Sequence, residues 1–260
     1  MSLLRVGLCL DLEATRQLTG QDILVFPEMV DSGYAALNGG AEPHRRGDAL
    51  LQTFAELSRT VAPTCIAGSV YLNDPPPATS NTSLVFRKGR LVYRYDKIHL
   101  FRPTGDHKYF SPGKTFGVFR AESSSGRVRC GVIICYDLRF PELTRSLALQ
   151  GMQVLFVPAR WPAVRDEAWQ SLLKARAIEN QVFVVGCNAE GEEGGASYVF
   201  DPLGVMVYSS RETVPARAHA VTLDLERLAE ARTLHDNLAD AVVLRSFRIP
   251  ASVTARRRPT

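Results

Sequence analysis

Apolar runs of strand length recur along the whole chain and alternate with stretches of helical period, and this pattern constrains the fold more than any other feature. Strands are predicted at 4–10, 22–26, 64–71, 81–87, 91–96, 128–135, 154–158, 182–187, 197–200, 205–209 and 218–223. Helices are predicted over Ala49–Thr60, Pro141–Leu149, Asp166–Asn180 and 225–233. In Asp166–Asn180 the apolar Trp169, Leu172, Leu173 and Ile178 follow steps of three and four, and Asp166 sits where a carboxylate suits the helix dipole. Buried strands separated by helices predict an α/β protein. The close strand pairs at 81–95 and 197–209 add antiparallel hairpins to a mixed sheet.

The 260 residues are 45% hydrophobic, enough for a full core, and no composition break or repeat divides them, so one domain over 1–260 is expected. The basic run Arg256–Arg258 lies in a segment near 251–260 that reads as a flexible tail. A net charge of +4 without a basic, aromatic-interleaved face argues against nucleic acid. No apolar run approaches the roughly 18 residues of a membrane span. The first residues, with one arginine ahead of the apolar stretch and acids after it, suit a strand better than a leader. The five scattered cysteines lack a CxxC or Cys/His cluster, so neither a disulfide framework nor a zinc site is expected. These features predict a cytoplasmic protein that binds neither nucleic acid nor membrane.

Three residues stand where chemistry is expected. Cys135 ends the run 128–135 just before a helix opened by Pro141. A thiol at such a turn lies at the carboxyl edge of the sheet, with backbone N–H groups nearby for an oxyanion. The alternative is a buried small hydrophobe, the role expected of Cys130. Glu28 ends the apolar segment 23–28, where desolvation is expected to raise its pKa and suit a general base; a solvated loop acid is the alternative. Lys97, among Tyr95, Ile98, Leu100 and Phe101, reads either as a tethered cation or as half of a surface pair with Asp96. No protease signature supports His99 or His107 as a base for Cys135. Serine-hydrolase and nucleotide-binding motifs are absent.

The segments Phe26-Pro27-Glu28, Tyr95-Asp96-Lys97 and Cys135-Tyr-Asp-Leu-Arg-Phe-Pro-Glu142, in this order and spacing, resemble the three signature regions of the nitrilase superfamily of carbon–nitrogen hydrolases. The resemblance runs from about residue 5 to 225 and includes Trp161-Pro162, Gly186-Cys-Asn188 and Asp201-Pro-Leu-Gly204. Within the superfamily, residues 27–33, 97–102, 160–162 and 186–188 are most similar to the bacterial ω-amidases, which deamidate 2-oxoglutaramate and related amides. The resemblance implies a four-layer αββα sandwich, paired into at least a dimer through the helices near the nucleophile, with no metal or organic cofactor. It implies that Glu28 takes the thiol proton, that Cys135 attacks the amide carbonyl, and that Lys97 with the Tyr136 N–H steadies the oxyanion.

Two departures from the family pattern stand out. Asp106 occupies the place of a second glutamate and is one methylene shorter, so the surrounding geometry must tighten if it orients Lys97 or the substrate. The link 13–21 between the first two strands is shorter than the helical crossover expected there. For the substrate, Arg102 and Arg160 are the candidate carboxylate-binding cations, and Tyr34, Tyr136 and Trp161 are expected to wall the pocket. Arg139 is expected to bind substrate or to pair with Asp137 or Glu142. Other amidase branches, for deaminated glutathione, aliphatic amides or N-carbamoyl amino acids, are the near alternatives, and a catalytically silent binding protein is the distant one.

Overall fold

The computed structural model describes residues 2–75, 77–123, 126–213 and 216–241; Arg256–Arg258 and the tail at 251–260 lie outside them. One sheet holds β1 (Leu3–Cys9), β2 (Ile23–Val25), β3 (Thr64–Ile66), β4 (Val70–Leu72), β5 (Ser80–Arg87), β6 (Arg90–Asp96) and β13 (Ala218–Asp224). Its order is β13-β1-β2-β3-β5-β4, with β6 also paired to β5. The other holds β7 (Phe119–Ser123), β8 (Gly126–Val132), β9 (Val154–Ala159), β10 (Phe183–Asn188), β11 (Tyr198–Phe200) and β12 (Met206–Ser209), in the order β12-β11-β10-β9-β8-β7. In each sheet a parallel trio, β1-β2-β3 or β8-β9-β10, is extended by antiparallel strands.

Strand alternation gives each sheet two apolar faces. Ile23, Val25, Ile66 and Val85 turn toward the second sheet and join the core of Val132, Phe156 and Val184. Their neighbours Leu24, Phe26, Cys65, Leu84 and Phe86 turn the other way, onto Leu51 and Phe54 of α2 (Ala49–Thr60). Beyond the second sheet lie α4 (Pro141–Leu149) and α5 (Asp166–Asn180), which bury Leu147, Trp169, Leu173 and Ala177. The result is an αββα sandwich. Two one-turn helices, α1 (Ala35–Asn38) and α3 (Asp106–Tyr109), sit in loops, and α6 (Glu226–Leu234) follows β13.

The sequence pattern and the structure differ in four places. The predicted strand 64–71 is two strands, β3 and β4, broken at Gly68, whose φ is +61°. The predicted strand 128–135 leaves the sheet after Val132, and a 3-10 helix, Cys135–Arg139, precedes α4. The short link after β1 makes its parallel crossover with a 3-10 helix, Glu13–Gln17, instead of an α-helix. The greater rise of a 3-10 helix, about 2.0 Å per residue, lets few residues span the distance. Finally, β7 has no counterpart in the prediction, because a five-residue edge strand with one large apolar side chain gives a weak signal.

Candidate active site

The carboxyl ends of the two parallel trios converge, and the candidate residues come from the segments that leave them. After β2, the segment 26–30 is pinned by Gly68 and Ser69. Ser69 N–H donates to the Pro27 carbonyl (3.3 Å), Met29 N–H donates to Ser69 Oγ (3.1 Å), and Val30 N–H donates to the Ser69 carbonyl (3.1 Å). A Cβ on Gly68 would lie 2.0 Å from the Pro27 oxygen, so only glycine permits this approach. After β6, Lys97 N–H donates to the Asn81 carbonyl (2.9 Å). Asp96 turns to Thr82 and Arg94, which replaces the alternative of a surface Asp96–Lys97 pair.

Cys135 opens its 3-10 helix with φ at +46°, a left-handed conformation that strains a residue with a Cβ. Asp137 holds that turn: its buried carboxylate accepts from Ile134 N–H (3.0 Å), His99 N–H (2.8 Å) and Tyr95 Oη (2.6 Å), with His99 Nδ1 at 2.8 Å. The nucleophile turn and the segment after Lys97 are therefore fastened to one carboxylate. At the start of the 3-10 helix, the Cys135 and Tyr136 N–H groups have no intrahelical acceptor, the position of a backbone anion site.

Glu28, Lys97 and Asp106 are each 1% exposed or less and meet in one cluster. Lys97 Nζ donates to Glu28 Oε1 and to Asp106 Oδ2, both at 2.8 Å, and to Tyr34 Oη at 3.2 Å. Glu28 also accepts from Tyr34 Oη (2.7 Å), Asn81 Nδ2 (2.8 Å) and the Arg160 N–H (3.1 Å). The shorter Asp106 reaches Lys97 because left-handed Gly105, with φ at +80°, turns the chain into α3. Phe101 N–H (3.0 Å) and Thr104 Oγ1 (2.6 Å) then fix its carboxylate. Asn81, unforeseen from sequence, sits in a run of four buried polar residues, Ser80–Ser83, on β5. Buried polar residues in a strand were the signal available for it.

The electrostatics correct one expectation. Burial does push the Glu28 carboxyl up, but the Lys97 ammonium and hydrogen bonds from Lys97, Tyr34 and Cys135 outweigh it and hold the group below its ordinary value. Burial alone would drive Lys97 down, yet Glu28 and its neighbours raise it well above the ordinary lysine value. The Cys135 thiol is raised well above the ordinary thiol value by burial and by the Glu28 charge, against the opposing pull of Lys97. Its Sγ lies 3.9 Å from the Arg160 carbonyl. The resting cluster thus holds a thiol, a carboxylate and an ammonium. It can pass the thiol proton to the carboxylate as sulfur attacks, with a fixed cation beside the developing negative charge.

This cluster floors a cavity of about 240 Å3, with Tyr34, Tyr136 and Trp161 on its walls as expected. The expected cations are placed differently. Arg102 is exposed on the 3-10 helix Arg102–Thr104 and is not among the lining residues, because that turn directs it outward. Arg160 lines the cavity, but its guanidinium is committed to the Glu28 carbonyl (2.8 Å), the Met29 carbonyl (2.9 Å) and Glu193 (3.1 Å). Glu193 also accepts from the N–H groups of Tyr34 (3.2 Å) and Ala35 (3.0 Å), at the start of α1. Arg139 pairs with neither Asp137 nor Glu142. Asp137 is filled by Tyr95 and His99, and Arg139 lies over the Trp161 ring at 4.9 Å. Arg165, over the Phe101 ring at 5.2 Å, is a further lining cation, the one that sequence reading missed.

A cysteine, a glutamate and a lysine converging on the joined ends of an αββα sandwich define a class. The sequence profile of that class, carbon-nitrogen hydrolase, matches residues 3–233, and the chain belongs to this family. It is similar to 2-oxoglutaramate amidase of Bacillus subtilis (strain 168), 35% identical over 217 residues that cover 81% of each chain. It is also similar to omega-amidase YafV of Escherichia coli (strain K12), 35% identical over 221 residues covering 83% of this chain and 82% of that one. Among solved structures, XC1258 from Xanthomonas campestris, a CN-hydrolase superfamily protein with an arsenic adduct in its active site, has a TM-score of 0.78 at 26% identity. That match covers 92% of this chain and 97% of the other. The chain is a carbon–nitrogen hydrolase acting on amides. Among the described residues no helix is long and apolar enough to cross a membrane.

Proposed function

We propose that this amidase is an ω-amidase that hydrolyses 2-oxoglutaramate and similar small 2-oxo-acid amides through a Cys135 thioester. The observation that carries the reading is the buried Glu28–Lys97 cluster beside Cys135 at the floor of a small cavity. As Cys135 sulfur bonds to the amide carbon, its proton passes to Glu28, and the carbonyl electrons move to oxygen beside Lys97 and the Tyr136 N–H. Glu28 then returns the proton to the amide nitrogen, the C–N bond breaks and ammonia leaves. Water attacks the thioester, giving one proton to Glu28; the C–S bond breaks as Glu28 passes that proton to sulfur, and the acid product leaves, losing its own proton to solvent. Asp106 holds Lys97 charged and in place throughout.

The substrate class is supported by the names of the relatives and by cavity size. A volume of about 240 Å3 falls below the roughly 300–1,000 Å3 of drug-sized ligand sites. This favours a five-carbon amide over the larger deaminated glutathione. Pairing into a homodimer through α4 and α5, which expose Leu149 and Ile178, belongs to the same reading, as does a cytoplasmic location. Ammonia release from 2-oxoglutaramate, L-glutamine, pentanamide and deaminated glutathione, with wild type and Cys135→Ala, tests the reading. It expects the highest kcat/KM on 2-oxoglutaramate and only background release in the variant. A Cys135-dependent preference for another amide would keep the chemistry and remove the substrate assignment.

A further inference from the structure

We infer that Glu193 and Arg160 are positioning residues for the catalytic base: as a pair they hold Glu28 in place against the Cys135 thiol. The inference rests on the thiol–carboxylate chemistry proposed above and is independent of which amide is the substrate.

Arg160 is the first residue after β9, and its backbone stands between the two reacting groups. Its N–H donates to Glu28 Oε2 (3.1 Å), and its carbonyl lies 3.9 Å from Cys135 Sγ. The side chain then reaches back around the segment that carries the base. Nε donates to the Glu28 carbonyl (2.8 Å) and Nη2 to the Met29 carbonyl (2.9 Å). Met29 has φ at +48°, a conformation unfavourable for a residue with a Cβ, which persists only where the surroundings enforce it. Arg160 enforces it from one side, and Ser69 Oγ, accepting from the Met29 N–H, from the other.

A guanidinium drawn this far from water needs a counter-charge that two neutral carbonyls do not provide. Among the described residues the one carboxylate that meets it is Glu193, at 3.1 Å. The same carboxylate accepts from the N–H groups of Tyr34 (3.2 Å) and Ala35 (3.0 Å), and Tyr34 Oη donates to Glu28 Oε1 (2.7 Å). Two routes therefore lead from Glu193 to the base, one through Arg160 to Oε2 and one through Tyr34 to Oε1. The fit around them is close. A Cβ on Gly33, whose φ is +64°, would lie 3.0 Å from Glu193 Oε2 and 3.4 Å from Arg160 Cζ. A Cβ on Gly194 would lie 1.8 Å from the Ala189 oxygen, so the turn that presents Glu193 is folded tightly on the end of β10. Proton transfer between sulfur and carboxylate depends steeply on their placement, so losing the pair should slow the chemical step and spare substrate binding.

The test measures kcat, KM, the pH profile and the urea midpoint for Glu193→Gln, Glu193→Ala, Arg160→Met, Arg160→Lys and the double variant Glu193→Gln/Arg160→Met. Kinetics are read on whichever of 2-oxoglutaramate and pentanamide wild type turns over faster. Glu193→Gln, which removes the charge but can still accept from Tyr34 and Ala35, is expected to lower kcat about tenfold with KM nearly unchanged. Glu193→Ala severs both routes and should lower kcat about a hundredfold. Arg160→Lys should fail to rescue, because one ammonium does not reproduce the planar fork. The double variant should match Arg160→Met alone, as partners in one unit are not additive. The acid limb of kcat/KM adds a readout that a purely structural role would not move. Glu28 faces Lys97, Tyr34 and Cys135, with Asp106 behind Lys97, and the Tyr34 bond helps to hold its carboxyl low. Glu193→Ala should therefore shift that limb to higher pH. A wild-type kcat in Glu193→Ala would overturn the inference. So would a raised KM with kcat intact, which would make the pair a substrate contact, or a loss of activity that only tracks a lowered urea midpoint. Wild-type turnover by Glu28→Gln would overturn the inference and the thiol–carboxylate chemistry together.

Discussion

The floor and the mouth of the cavity handle charge in opposite ways. At the floor, Glu28, Lys97 and Asp106 are removed from water, and each charge is met by several fixed partners. At the mouth, Arg139 and Arg165 stay in water, each over an aromatic face and, among the described residues, without a carboxylate partner. Burial forces the floor to be electrically complete before any ligand arrives, since an unmatched buried charge is severely unfavourable. Exposure allows the mouth to remain unmatched, because solvent stabilises a lone guanidinium. The comparison teaches where a protein of this kind can place reactivity and where it can place selection. A preorganised ion cluster is suited to the first, and open charges are suited to the second.

The sharpest way to break the comparison is to unbalance each region. Lys97→Met, which strands two buried carboxylates, is expected to lower stability by about 3–5 kcal/mol, read from urea unfolding. Adding Glu28→Gln to it should restore part of the loss. Arg165→Gln should stay within about 0.5 kcal/mol of wild type. Similar losses for Lys97→Met and Arg165→Gln would contradict the distinction. Asp106→Glu probes how tightly the floor is fitted. The extra methylene enters a fully buried site already filled by bonds from Lys97, Phe101 and Thr104, so a loss of about 1–3 kcal/mol is expected.

Proton affinity sharpens the comparison further. The folded pKa of Glu28 is lowered, so its contribution to stability is present above about pH 4.3 and is lost as pH falls through the folded value. That of Lys97 is raised, so its contribution is present below about pH 10.4 and is lost as pH rises through the folded value. Urea midpoints measured across pH should show this pair contributing a constant amount between those limits. The raised Cys135 pKa predicts that alkylation of the resting enzyme by iodoacetamide keeps accelerating above pH 9. A plateau below pH 8 would show a thiolate already present at rest. The smallest effect belongs to the mouth: raising ionic strength to about 0.5 M should increase KM for 2-oxoglutaramate a fewfold and leave pentanamide unaffected.

The floor was more legible in the sequence than the mouth. Glu28, Lys97 and Cys135 each follow an apolar strand, and strand ends are where a sheet delivers side chains to a common edge. The direction of the Glu28 pKa was misjudged because burial is visible in its own segment, whereas the lysine that reverses it lies 69 residues away. Arg102 is a candidate because it lies on an active-site loop, but a 3-10 turn sends it outward. Arg139 and Arg165 gained their place from Trp161 and Phe101, rings that only the folded chain brings beneath them. The helices α2, α4 and α5 fall where helical period placed them, since amphipathic repeats are local. The breaks at Gly68 and Val132 were hidden because they answer to contacts with other segments.

The bonds from Arg160 and Glu193 to the segment around Glu28 and Tyr34 join residues more than 130 positions apart. During synthesis, the chain that has emerged as far as Lys97 carries half of the cluster, and Cys135 follows without the loops that seat it. Only when Glu193 has left the ribosome can the start of α1 be capped and the Arg160 guanidinium complete its contacts. The enzyme therefore cannot acquire its working geometry gradually from one end. The full set of contacts exists only when both sheets are present to close on each other.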